Sequence, residues 1–170
     1  MDHSDTFRKR TSIPLHQAVA LFMNQADQSV NRFNARQACL YTGLQLEELG
    51  EKIEVIMGGC VTDAQRQHLA PLHSMLRHFA KEFRNGLHEG DMLRCDHAEL
   101  IDADFDTAWV SLGALMSTST NALGAIAHGS FTNLDKFRNG CVKDANGKVQ
   151  KPADWQPPDF EPFTDKSVKD

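Results

Sequence analysis

The chain has 170 residues, 41% hydrophobic and 24% charged, with a formal net charge of -5. That length carries a core of ordinary size, and the acidic balance argues against a general nucleic-acid or membrane-surface binder. No apolar run approaches the ~20 residues that span a bilayer, and the opening MDHSDTFRKRTSIP has no secretion-type apolar stretch, so a cytoplasmic protein is expected. Cys39, Cys60, Cys95 and Cys141 form no CxxC pair and read as reduced structural thiols. No histidine stands three residues after a glutamate, which counts against a di-iron bundle. No His-Asp dipeptide occurs either, so an HD-type phosphohydrolase lacks its central pair.

The pattern is helical almost throughout. Residues 1–13 read as a flexible N-terminal segment, 14–163 as one all-α domain and 164–170 as a disordered tail. A first helix is expected from Pro14 to Met23, with proline suited to its first turn. Asn34-x-x-Gln37 resembles a capping box and opens a long second helix closing at Gly58-Gly59. Thr62-x-x-Gln65 starts a third, where Leu69, Leu72, Leu76, Phe79 and Phe83 predict a buried stripe. Pro71 lies early in it and would kink it or set its start, and Asn85-Gly86 ends it. Asp96-x-x-Glu99 begins what reads as the longest helix, to about Ala127, with Ile101, Phe105, Ala108, Leu112 and Leu115 as its apolar face. A short helix over 133–139 follows. Asn146-Gly147 then marks a hairpin-type turn, and the prolines beyond it exclude helix. The sum is an antiparallel bundle of four to five helices.

Two of these helices carry acidic stripes. At ~3.6 residues per turn, Glu47, Glu48 and Glu51 share a face of the second helix. Glu99, Asp102 and Asp106 share a face of the fourth. Unit charges ~4 Å apart repel by about 4 kcal/mol at an effective dielectric near 20, so such stripes call for a neutralising ion. Carboxylate oxygens suit Mg²⁺, which often carries substrate phosphates. Glu54 and Asp104 fall outside the stripes and read as solvated, while Glu99 serves equally well as a capping-box residue.

LQLEELGE resembles the LIxEExxE segment of the all-α nucleoside triphosphate pyrophosphohydrolases, the MazG-like and phosphoribosyl-ATP-pyrophosphohydrolase-like proteins. ELIDADFDTAWVSLGA resembles their second acidic segment, and NLDKF with NGKVQKPADWQPPD resembles their Asn-x-x-Lys and KPxxWxPPD-like tail. The likeness runs over residues 14 to 160, with two departures: the stretch between Glu51 and Glu99 is longer than usual, and the second motif holds several acids.

The resemblance implies a bundle completed by oligomerisation as a homodimer or homotetramer. It also implies Mg²⁺ (or Mn²⁺) held by Glu47, Glu48, Glu51, Asp102 and Asp106, with Glu99 open between ligand and cap. The expected activity is cleavage of a (d)NTP to (d)NMP and pyrophosphate for nucleotide house-cleaning, with a metal-activated water and Glu48 as base. Asn133 and Lys136 match the nucleotide-contacting Asn-x-x-Lys. Lys151 and Trp155 form either a flap over the substrate or a segment packed along the surface. Arg36 resembles a position that is often basic before this helix in the family, but it reads better as a surface arginine. The rivals are phosphoribosyl-ATP hydrolysis and a non-catalytic helical protein that senses a nucleotide or binds a partner.

Overall fold

A computed structural model of the chain describes residues 13–168. The N-terminal segment expected over 1–13 lies outside the described residues except for Ile13, as do the last two positions of the tail. Among the described residues there are six α-helices: α1 (Leu15–Gln25), α2 (Ala35–Gly58), α3 (Asp63–Arg84), α4 (Glu89–Arg94), α5 (His97–Thr118) and α6 (Ala122–Leu134). Short 3-10 turns follow at Asp135–Phe137, Glu161–Phe163 and Lys166–Val168. Among the described residues the fold is all-α, with only isolated bridge residues at Arg138, Gly140, Lys143 and Val149 and no strand. No helix there is long and apolar enough to cross a membrane. The chain divides into two compact units, one of Met1–Val30, His97–Val142 and Val149–Asp170, the other of Asn31–Asp96 and Lys143–Lys148.

In the second unit, α2 and α3 form an antiparallel hairpin whose ends are set by local chemistry. The Asn34 side chain accepts from the Gln37 backbone N–H at 3.0 Å. Thr62 and Gln65 complete a reciprocal capping box, satisfying two donors that a helix start otherwise orphans. Gly86, at φ +82°, ends the run in a conformation that side chains disfavour. Pro71 does not break α3. Pro71 and Gln67, whose carbonyl loses its partner, are both exposed, so the interruption falls on the solvent side of the helix. Where the helices meet, Cys39, Leu40, Gly43 and Gly50 of α2 and Leu76 and Ala80 of α3 are buried. The predicted Leu/Phe stripe is thus narrower than its spacing suggests: Leu76 is buried, but Leu72 and Phe79 stay 40% or more exposed. The small residues of α2 admit a close seam along Leu76 and Ala80, which leaves the flanking positions to solvent. Within this unit the Cys39 thiol donates to the Phe83 carbonyl at 3.0 Å. Burial is the first cause raising its pKa, which makes it an unreactive core thiol. All four cysteines are free.

The first unit packs α1 on α6, and Ala18 of α1 and Ala125 of α6 are both buried. Phe22 meets Phe137 edge-on at 4.8 Å. The proline-rich tail lies along α6: the Trp155 indole N–H donates to the Thr132 carbonyl at 3.0 Å, and the Asp159 N–H donates to His128 Nε2 at 3.0 Å.

The predicted long helix does not reach Ala127 but stops at Thr118, and a new one starts after Asn121. Thr120 is the cause, because its backbone N–H donates to the Phe163 carbonyl at 2.8 Å instead of continuing the ladder. The Asn121 side chain then accepts from the Gly124 N–H at 2.9 Å and caps α6. α2, at 24 residues, is therefore the longest helix, and the helix expected over 133–139 is the end of α6 plus one 3-10 turn. No residue of α5 is buried.

Candidate functional site

Glu47 stands on α2 one turn beyond Gly43, where the hairpin seam is tightest. Its two oxygens accept from two cations, Arg84 Nη1 at 2.7 Å and Lys148 Nζ at 2.8 Å. Arg84 is the last residue of α3, and its carbonyl accepts from Arg36 Nη2 at 2.8 Å. Lys148 is delivered by a turn in which Asp144 Oδ1 accepts the backbone N–H groups of Asn146 and Lys148, at 2.9 and 3.0 Å. Gly147 supplies the positive φ, +87°, which fits a three-residue hairpin loop with glycine in the left-handed position. Asn146 anchors the turn by donating to Asn85 Oδ1 at 3.3 Å. Burial pushes the Glu47 carboxyl up, but the Lys148 hydrogen bond and charge, then Arg84, outweigh it and hold it below the ordinary carboxylate range.

The remaining acids are looser. Glu51 is 4.0 Å from Arg77 and Glu54 is 3.7 Å from His73; Glu48 is exposed. Glu99, Asp102 and Asp106 are exposed on α5, in the other compact unit. In kind, these donors suit Mg²⁺ or Mn²⁺, since all are hard carboxylate oxygens. In arrangement, Glu47 is committed to its two cations. Among the described residues no group of three or more His, Cys, Asp or Glu side chains is gathered to hold a metal.

The four residues assigned to the nucleotide do come together, all within the first unit. Lys136 Nζ donates to Asn133 Oδ1 at 2.7 Å. The same ammonium lies 5.3 Å from the Trp155 ring centroid, and Lys151 Nζ lies 4.7 Å from it. Two ammonium groups on one indole gain cation–π attraction but repel each other, and an anion seated by both would relieve that repulsion. Arg138 braces the cluster, pairing with Asp135 at 3.3 Å and Asp154 at 2.8 Å. Phe22 adds a second ring, 5.9 Å from Lys136 Nζ.

The sequence argument did not find Arg84, Lys148, Thr132 or Phe22. For Lys148 a signal existed, because Asn-Gly turns present the following side chain predictably. Arg84 had none, since only the folded hairpin brings it to Glu47.

Elsewhere in the second unit His88 bridges two carboxylates, Asp91 at 2.9 Å and Glu82 at 3.3 Å, and stacks on Phe83 at 4.3 Å. Its hydrogen bond to Asp91, then that to Glu82, raises its pKa above the ordinary 6.5. A raised folded pKa favours the charged form, so this stabilisation is fully present below 6.5 and is lost as pH rises through the folded value. An NMR titration is expected to place His88 above 6.5, and Asp91→Asn to lower it. Coincident curves for wild type and variant would show that Asp91 does not set the titration.

Comparison with known proteins supplies no relative: no family model, no curated protein and no solved structure matches the chain.

Proposed function

We propose that this chain is a Mg²⁺-dependent nucleoside triphosphate pyrophosphohydrolase, converting (d)NTP to (d)NMP and pyrophosphate, with Mn²⁺ as an alternative ion and nucleotide-pool house-cleaning as its role. The observation that carries the reading is the gathering of Asn133, Lys136, Lys151 and Trp155. These are the residues that the resemblance to the all-α pyrophosphohydrolases assigns to the nucleotide, and two ammonium groups beside an indole offer charge for phosphates and a face for a base. Lys136 and Lys151 take phosphate oxygens, Trp155 stacks on the base, and Asn133 orients Lys136. The resemblance names Glu47, Glu48, Glu51, Asp102 and Asp106 as ligands of the ion, with Glu99 as a further candidate. An ion held by such carboxylates would supply charge neutralisation and lower the pKa of a water. Glu48, exposed on α2, takes the proton from the attacking water.

The proposal extends to assembly. Ile101, Phe105, Trp109 and Met116 recur at helical spacing on α5 and are all more than half exposed. An apolar stripe of this kind suits a homodimer or homotetramer.

One observation favours a second reading, nucleotide sensing without turnover: Glu47 is engaged by two cations and the carboxylates are not gathered. The test is pyrophosphate release from a panel of ribo- and deoxynucleoside triphosphates and phosphoribosyl-ATP, with Mg²⁺, Mn²⁺ or chelator. Metal-dependent release from triphosphates is expected. Release from phosphoribosyl-ATP alone would move the reaction to that substrate, and binding without release from any nucleotide would favour sensing.

A further inference from the structure

We propose that α5 is a pairing helix: two copies of the chain join through it, antiparallel, about a two-fold axis between Ala108 and Trp109. The pairing rests on the assembly reading above and fixes its face and its direction.

The face follows from exposure. α5 has 22 residues and none of them is buried. Ile101, Phe105, Trp109 and Met116 are all more than half exposed, and with Ala108 and Leu112 they make a stripe about 100° wide. Phe105 and Trp109 already form a ring pair with centroids 6.0 Å apart, so two bulky anchors are set before a partner arrives. Taking ~200 Å² for a large side chain, the four exposed ones offer on the order of 500 Å². A stable interface takes about 800 Å² from each partner, and Ala108 and Leu112 add to the same stripe.

The partner follows from the spacing. Ile101 and Met116 stand equally far from the midpoint between Ala108 and Trp109, and so do Phe105 and Leu112. Laid antiparallel on itself, the stripe therefore matches end to end. Ile101 meets Met116 of the partner subunit, Phe105 meets Leu112 of the partner subunit, and both aromatic pairs gather near the axis. Such self-complementarity is what an isologous two-fold interface requires.

The direction follows from charge. Glu99, Asp102, Asp104 and Asp106 all lie in the first half of α5, and residues 107–118 carry no charge. A parallel pair would set the two acidic halves side by side. The antiparallel pair sets each beside the uncharged half of the other. The two acidic clusters then lie roughly 16 Å apart along the axis, at ~1.5 Å per residue, beyond the ~8 Å Debye length of physiological salt.

Sedimentation equilibrium over a range of concentrations tests the face, with helicity by circular dichroism as the folding control. The wild type is expected to associate. Trp109→Glu should raise the dissociation constant about 100-fold, as for the loss of a central aromatic anchor. Val110→Glu puts the same charge on the opposite side of the helix, at a position 64% exposed against 68% for Trp109, and should leave the constant unchanged. Cross-linking by air with a copper catalyst tests the direction, in chains whose Cys60, Cys95 and Cys141 are changed to serine. Ile101→Cys and Met116→Cys chains should each resist cross-linking alone and form a disulfide when mixed. A disulfide in Ile101→Cys alone would show a parallel pair and overturn the proposal. So would association that folded Trp109→Glu leaves unchanged, which would keep the assembly and move it to another surface. A wild type that stays monomeric at every concentration would remove the assembly and this pairing together.

Discussion

Replacing Gly43 with alanine is expected to destabilise the α2–α3 hairpin by about 2 kcal/mol, close to the upper range of overpacking less the gain in helix propensity. A Cβ at this position would lie 2.7 Å from Arg84 Cγ, 2.8 Å from the Arg84 nitrogen and 2.9 Å from the Ala80 carbonyl oxygen. Two of those atoms are backbone, so relief requires the helices to part. Parting also moves Arg84 away from Glu47, one turn further along α2. Gly50→Ala is the matched control, because its nearest contact would be 3.4 Å; helix propensity should then leave it neutral or slightly more stable. Urea midpoints of the two variants measure the difference. Equal midpoints would mean that the seam is not as close as described.

Trp155→Ala should weaken nucleotide binding about tenfold to a hundredfold, the range for losing one base–aromatic stack. The substitution also removes the surface over which Lys136 and Lys151 are held, at 5.3 and 4.7 Å from the ring centroid. Trp155→Phe separates the two contributions, since it keeps an aromatic face and loses only the bond to the Thr132 carbonyl. The chain has two tryptophans, so Trp109→Phe leaves Trp155 as the sole indole reporter. Nucleotide is expected to change its fluorescence in a saturable way. An unchanged KM in folded Trp155→Ala would assign this cluster to packing alone.

Local chemistry was the legible part of the sequence. The starts of α2 and α3 were readable from Asn34 and Thr62 because a cap is settled by residues three apart. The stop at Gly86 and the turn at Gly147 were readable because a positive φ favours glycine. What failed depended on distant partners. Nothing near Thr120 announces that its N–H is drawn to Phe163, so the break between α5 and α6 was invisible. Periodicity placed Leu72 and Phe79 in the core, whereas Gly43 and Gly50 across the seam let Leu76 and Ala80 take that place.

The candidate site divides in the same way. The spacing of Asn133 and Lys136 makes their contact a local matter. For Lys151 and Trp155 the resemblance left a flap over the substrate and a segment packed along the surface equally open; their place beside Lys136 came only from the folded chain. Acidic spacing correctly put Glu47 and Glu51 on one helix face. It could not reveal that Arg84 and Lys148 already neutralise the first of them, because both arrive from other elements.

The most direct test of the account is pyrophosphate release from a nucleoside triphosphate in Mg²⁺, comparing the full chain with Glu48→Gln. Glu48 is exposed on α2, so the substitution removes a proton acceptor with little effect on folding. The account predicts pyrophosphate with nucleoside monophosphate from the wild type, and a rate roughly 10²- to 10⁴-fold lower in the variant, the usual contribution of a general base. Equal rates in the two proteins, or no pyrophosphate from the folded wild type, would contradict it.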